Sequence, residues 1–191
     1  MIIGITGKRL SGKDTVANYM VEHKGYEHLY FSKVMKEAIA ALFDIRVQDV
    51  DNFKGDRGNF KEARIAIKMN DVEIKEFGWV EFLQRFGTDM GRKVLGEDLW
   101  LDLVDEAIED FDQNYIVKDV RFVNEAQWIL DQGGKIIELR RDVIDYANDN
   151  HESENGLPED MAEYVIANTS TIESLYKDVD AVLANINANR S

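Results

Sequence analysis

The chain of 191 residues carries a formal net charge of -14 and no cysteine, with 45% hydrophobic and 31% charged residues. That balance describes a folded globular protein rather than a disordered one, and the length suits a single domain with a sizeable core. An acidic surface repels polyanions, which argues against nucleic acid polymers and anionic membranes as partners, and the lack of cysteine excludes disulfides and cysteine-ligated zinc.

Ile2 to Thr6 is a short apolar run that predicts a strand, and from Lys13 onward Val16, Ala17, Tyr19, Met20 and Val21 recur at helical spacing. Between them lies GITGKRLSGKDT, residues 4 to 15, in which Gly7, Gly12 and Lys13 satisfy G-x-x-x-x-G-K. A strand, a glycine loop and a helix in that order point backbone N–H groups and the positive end of the helix at a phosphate. Lys13 is then placed to reach the β- and γ-phosphates, with Lys8, Arg9, Ser11, Asp14 and Thr15 completing the loop. Asp14 stands where such loops carry a Ser or Thr hydroxyl on Mg²⁺. It is read as holding the metal through water, which Mg²⁺ keeps readily, with Thr15 offering a hydroxyl to an α-phosphate.

Tyr26 to Phe31 predicts a second strand, and Lys33 to Phe43 a helix with Val34, Met35, Ala38, Ile39 and Leu42 on its apolar face. Residues 44 to 78 mix charges with Gly55, Gly58 and Gly78; only Phe60 to Met69 has clear helical potential, so a helical or partly mobile insertion is expected at about 44–78. Trp79 to Val94 and Leu99 to Phe111 predict two amphipathic helices separated by Gly96, a pair that is also a candidate homodimer face. Gly87 inside the first of them costs helix stability and predicts a local irregularity.

Tyr115 to Val117 predicts a strand leading into Lys-Asp-Val-Arg, followed by a helix over Asn124 to Leu130 and a strand over Lys135 to Leu139 that leads into Arg140 and Arg141. Tyr146 to Pro158 reads as a polar loop, so a lid is expected at about 140–160, with Arg140 and Arg141 neutralising a transferring phosphoryl group. His151, Glu152 and Glu154 lack the H-E-x-x-H spacing, and no zinc site is predicted. Tyr164 to Ala167 is the last predicted strand and Ile172 to Ile186 the last helix. Strands alternating with helices imply an α/β fold, a parallel sheet flanked by helices. No run approaches the length of a membrane span, no signal-like stretch opens the chain, and the cytoplasm is the expected compartment.

GKRLSGKDT, FSKVMKEAI, LQRFGTDMG, LWLDL, VKDVRFVNEAQWI and NGLP occur in the order found in deoxynucleoside monophosphate kinases of the bacteriophage type, and the chain resembles that family over most of its length. The resemblance implies a P-loop nucleoside monophosphate kinase-like fold within one domain, ATP with Mg²⁺ as donor, and a deoxynucleoside monophosphate (dNMP) as acceptor. It implies that Phe31, Ser32 and Lys36 lie beside the acceptor, that Gln84, Arg85, Gly87, Thr88 and Asp89 form an acceptor segment, and that Trp100 and Glu125 lie near the nucleoside. Related kinases tend to carry an arginine where this chain has Val80 and Glu81, and Arg85 is the candidate substitute.

Asp119 and Arg121 suit the same chemistry, because open α/β sheets bind ligands at the carboxyl ends of their strands. Arg121 can grip an acceptor phosphate in bidentate fashion, and Asp119 can orient water around Mg²⁺ or the arginine itself. Each assignment has a plainer counterpart. Phe31 and Trp100 also suit core packing, Lys36 a solvated helix surface, and Asp119 with Arg121, or Arg140 with Arg141, ordinary surface charge.

Three functions fit these residues. The leading one is phosphotransfer from ATP to a dNMP. GKRLSGKD and VKDVRFVNEAQWI also resemble the P-loop type of phosphomevalonate kinase, and a nucleotide-binding regulator without phosphotransfer would need only the loop.

Overall fold

The computed structural model describes residues 1–53, 63–69, 72–108, 110, 112–141 and 156–189. In chain order the elements are β1 (Ile2–Thr6), α1 (Lys13–Lys24), β2 (Glu27–His28), α2 (Lys33–Phe43), α3 (Val47–Asn52), β3 (Arg64–Met69), β4 (Val72–Gly78) and α4 (Trp79–Gln84). A π-helical segment (Arg85–Leu95), α5 (Leu99–Ala107), β5 (Tyr115–Lys118), α6 (Val123–Asp131), β6 (Lys135–Arg140), a 3₁₀ turn (Glu159–Met161), β7 (Tyr164–Ala167) and α7 (Ile172–Ala188) follow. They form two compact units, Met1–Tyr30 with Glu109–Ser191, and Phe31–Ile108.

The first unit is built on a five-stranded sheet in the order β2-β5-β1-β6-β7, parallel at every pairing. All five residues of β1 are buried, as a central strand covered on both faces requires. The pleat sends successive side chains to opposite faces. Ile3 and Ile5 join Val16, Ala17 and Met20 of α1 and Leu175, Val179, Leu183 and Ile186 of α7 in one core. On the other face Gly4 lies under α6, where a Cβ would fall 2.8 Å from Ile129 Cδ1 and 2.7 Å from Ile136 Cδ1. The parallel sheet with helices on both faces is the architecture expected. No described helix is long and apolar enough to cross a membrane.

The second unit packs α2, α3 and α4 around Ile39, Ala40, Val50, Trp79 and Leu83, and Trp79 Nε1 donates to Val50 O at 2.7 Å. Here the structure corrects the helical insertion. Arg64–Met69 and Val72–Gly78 form an antiparallel pair, where helix was expected through Met69. Ile65, Ile67 and Met69 alternate with Arg64, Ala66 and Lys68, and Val72 and Ile74 with Glu73 and Lys75, a period of two that favours strand over helix. The irregularity expected at Gly87 is a π-helical segment over Arg85–Leu95.

Smaller differences concern ends. The second strand keeps only Glu27–His28 of the expected Tyr26 to Phe31, and α5 stops at Ala107 rather than Phe111. Residues 142–155, which carry most of the expected lid together with His151, Glu152 and Glu154, lie outside the described residues.

Candidate functional site

Strands β1 and β5 are hydrogen-bonded neighbours, with Ile5 opposite Lys118, so the segments that leave their carboxyl ends are adjacent. After β1 the chain turns through Gly7 (φ +136°), Leu10 (φ +66°) and Gly12 (φ +105°) before α1 begins at Lys13. Ser11 N donates to Lys8 O at 3.1 Å. Lys13 Nζ folds back over the turn and donates to Gly7 O at 2.7 Å and to Lys8 O at 3.0 Å. Asn168, just past β7, donates from Nδ2 to Ser11 O at 2.9 Å, while its own N–H donates to Arg140 O at 2.7 Å. The loop is thereby tied to the opposite side of the sheet. The Ser11 hydroxyl beneath it is fully buried and has no hydrogen-bond partner among the described residues.

After β5 the backbone bends sharply at Asp119 (φ +76°), a conformation unfavourable for a residue with a side chain. The bend is held by Ile5 O, which accepts from the N–H groups of Asp119 and Val120 at 3.0 and 2.9 Å. It aims the Asp119 carboxylate at the loop, with Oδ1 3.5 Å from Lys13 Nζ. Arg121 donates to Asp119 Oδ2 from Nε at 3.0 Å and from Nη2 at 2.9 Å. Burial pushes the Asp119 carboxyl up, but Arg121 and Lys13 outweigh it and hold the group below the usual carboxylate value. Glu125 is buried and accepts from Arg121 N at 2.9 Å and Phe122 N at 3.2 Å. It caps the first turn of α6 and so fixes the bend that carries Asp119 and Arg121.

Asp14 in the first turn of α1 is ion-paired with Lys118, the last residue of β5. Burial pushes the Lys118 ammonium down, but Asp14, together with Tyr30 and Asp119, outweighs it and leaves the group raised. Lys118 Nζ also lies 5.9 Å over the Tyr30 ring, which stacks on His28. Burial lowers the His28 imidazole pKa, and Lys118 lowers it further, so the ring is neutral at neutral pH.

Among the described residues no group of three or more His, Cys, Asp or Glu side chains could hold a metal ion. Asp14, with its side chain 77% exposed, and Asp119 are two carboxylates beside a phosphate loop. That donor set fits Mg²⁺, which keeps several waters and takes further oxygens from substrate phosphates. It does not fit zinc.

Of the residues expected at the site, the first unit brings together Gly7, Lys8, Ser11, Gly12, Lys13, Asp14, Asp119, Arg121 and Glu125. Arg9 and Thr15 belong to the same loop and helix start. Arg140 ends β6, with Nη2 donating to Glu138 Oε2 at 2.7 Å, and Arg141 follows it.

The remaining residues belong to the second unit. Phe31 is buried and Ser32 precedes α2. Lys36 is paired with Asp51 at 2.7 Å, Arg85 with Glu81 at 2.9 Å, and Asp89 with Lys93 at 3.1 Å. Gln84 ends α4 and Thr88 is buried. Trp100 is buried as well; its Nε1 donates to Gly87 O at 2.8 Å, and its ring lies so close to Gly91 that a Cβ there would be 2.4 Å from Cζ2. This geometry is that of packing.

Sequence reasoning missed two residues. Lys118 stands beside the Asp119 motif, and an acidic residue in a phosphate loop is itself a signal to look for a compensating cation. Asn168 reaches the loop from 157 residues away, and no local pattern announces it.

A family model described as deoxynucleotide monophosphate kinase matches residues 56–179. A protein of Acanthamoeba polyphaga mimivirus, provisionally named a deoxynucleotide monophosphate kinase, is 26% identical over 205 residues, covering 97% of each chain. The deoxynucleotide monophosphate kinase of Escherichia phage RB69 is 30% identical over 106 residues, covering 53% of this chain and 43% of its own length. Among solved structures, dephospho-CoA kinase from Campylobacter jejuni aligns with 100% of this chain and 98% of its own at 13% identity, with a TM-score of 0.49.

Proposed function

From the premise that the chain belongs to the deoxynucleotide monophosphate kinase family, we propose that it transfers the γ-phosphoryl group of ATP to a dNMP, releasing ADP and the dNDP. The observation that carries this reading is the position of Lys13, which spans the phosphate loop and meets the carboxylate shared with Arg121. Phosphoryl transfer asks little covalent chemistry of a protein, because the acceptor phosphate is already ionised and needs no general base. It asks for alignment, charge neutralisation and exclusion of water.

On this reading the loop N–H groups and the positive end of α1 receive the donor phosphates, and Lys13 offsets charge at the β- and γ-oxygens. Asp14 and Asp119 would hold Mg²⁺ through water, and when bound the ion would supply further neutralisation of the triphosphate. Arg121 exchanges Asp119 for an acceptor phosphate oxygen, or serves both through its several donors. Within the second unit, Lys36 and Arg85 are each paired with a carboxylate that a phosphate would have to displace. Arg140 and Arg141 are proposed to close on the transferring group.

Family membership favours this function over the phosphomevalonate and regulator readings. The experiment is ADP release from Mg·ATP with dTMP, dGMP, dCMP, dAMP and phosphomevalonate in separate reactions, beside one without acceptor. Release that depends on one or more dNMPs is expected. Release only with phosphomevalonate, or independent of acceptor, overturns the proposal.

A further inference from the structure

We infer that Lys118 is the built-in counter-ion of an acidic phosphate loop, neutralising Asp14 so that the loop can accept a triphosphate. The inference rests on the nucleotide reading above and adds a residue to that site. A Ser or Thr after the loop lysine is neutral; Asp14 instead places a full negative charge in the first turn of α1. A carboxylate is at ease at a helix N-terminus on its own account. A triphosphate seeks the same N–H groups, however, and like charges at close range repel. Before a metal is bound, an uncompensated Asp14 would oppose the ligand that the loop is built to hold.

The compensation is visible. Lys118 is paired with Asp14, while Lys13 and Arg121 share Asp119. Each carboxylate therefore has its own cation. Strand β5 delivers Lys118 and Asp119 as consecutive residues beside the end of β1, so one strand end serves both pairs. The Lys118 side chain is 30% exposed and braced over the Tyr30 ring, which limits the freedom it must lose in holding Asp14. Neutral His28 beside it adds no second cation.

The test is ATP binding by titration calorimetry in EDTA, on the full chain, for the native protein, K118M, D14N and the double variant D14N/K118M, each checked by thermal melting. K118M is expected to bind ATP about tenfold more weakly, and the double variant to return to within about twofold of native, because the charge that needed neutralising has gone. An equal loss in K118M and the double variant overturns the inference, since Lys118 would then act on the nucleotide itself. Unchanged affinity in K118M overturns it too.

If K118M does not fold, K118R and D14N carry the test. K118R should bind as the native chain does, and D14N at least as tightly. Weaker binding by either overturns the inference. A native chain that binds no ATP removes the nucleotide reading as a whole, whereas a native chain that binds while the variants behave contrary to expectation removes only the role of Lys118.

Discussion

The Lys13 ammonium lies 3.5 Å from one oxygen of Asp119, and the other oxygen takes the Arg121 guanidinium at 2.9 Å. One carboxylate thus holds the cation of the phosphate loop and the cation proposed for the acceptor. On the proposed reading a bound phosphate would compete with Asp119 for both, and the short links would let each cation shift to it without leaving the site.

Lys13→Met tests the donor side. The Lys13 side chain is 12% exposed and is paired with Asp119 as well as bonded to Gly7 O and Lys8 O, so its loss should lower the melting temperature while leaving a folded chain. Turnover should fall by roughly 10²-fold or more, as when a donor to developing transition-state charge is removed. Steady-state kinetics beside a thermal melt checks both halves, and full activity in the variant would refute phosphotransfer at this loop.

Asp119→Asn should reveal a pH-dependent contribution to stability. The folded carboxyl sits below its ordinary value because Arg121 and Lys13 outweigh the opposing effect of burial, so the unfolded chain takes up its proton at the higher pH. The stabilisation is therefore full above about pH 4 and is lost as the pH falls through the lower folded value. Urea unfolding should show D119N less stable than the native chain at pH 7, with the gap closing at pH 3. A gap that stays constant across that range would mean that the ion pairs contribute nothing.

Asn168→Ala should loosen the loop without touching chemistry. The variant leaves Ser11 O without its 2.9 Å donor, a loss of about 1 kcal/mol. KM for ATP should rise roughly fivefold while kcat changes less, since the bond is made before and during transfer alike. A fall in kcat at unchanged KM would instead assign Asn168 to the transition state.

The parts of this architecture governed by local pattern were legible in advance. Ile2–Thr6, Lys33–Phe43 and Tyr164–Ala167 have the bounds that apolar periodicity predicts, and the glycine and lysine spacing marks the loop. The β3–β4 pair was hidden because charged residues and helix formers such as Ala66, Lys68 and Met69 are interleaved with its isoleucines, so propensity and period disagreed. The capping role of Glu125 was missed for a related reason. A glutamate near a nucleotide motif suggests a ligand contact, whereas its oxygen is taken by the backbone N–H groups of Arg121 and Phe122. What remained illegible was long-range: which asparagine braces the loop, and which lysine meets Asp14, depend on strand order rather than on neighbours in sequence.

Trp100 separates base stacking from packing in a way that two variants can measure. Its indole N–H donates to Gly87 O at 2.8 Å and its ring occupies the space that a side chain at position 91 would need. Trp100→Phe strands that carbonyl and leaves part of the ring volume empty. The cost should be about 1–3 kcal/mol, which for a chain of this size lowers the melting temperature by roughly 2–10 °C. Gly91→Ala should destabilise by a similar route, because the added methyl meets a rigid ring rather than a flexible side chain. Both variants would then share a lowered melt, and KM for the dNMP should move together in the two. A large rise in KM with W100F alone, at an unaltered melting temperature, would instead return Trp100 to the nucleoside as a stacking surface, since only direct contact with the base distinguishes its ring from the glycine it packs on.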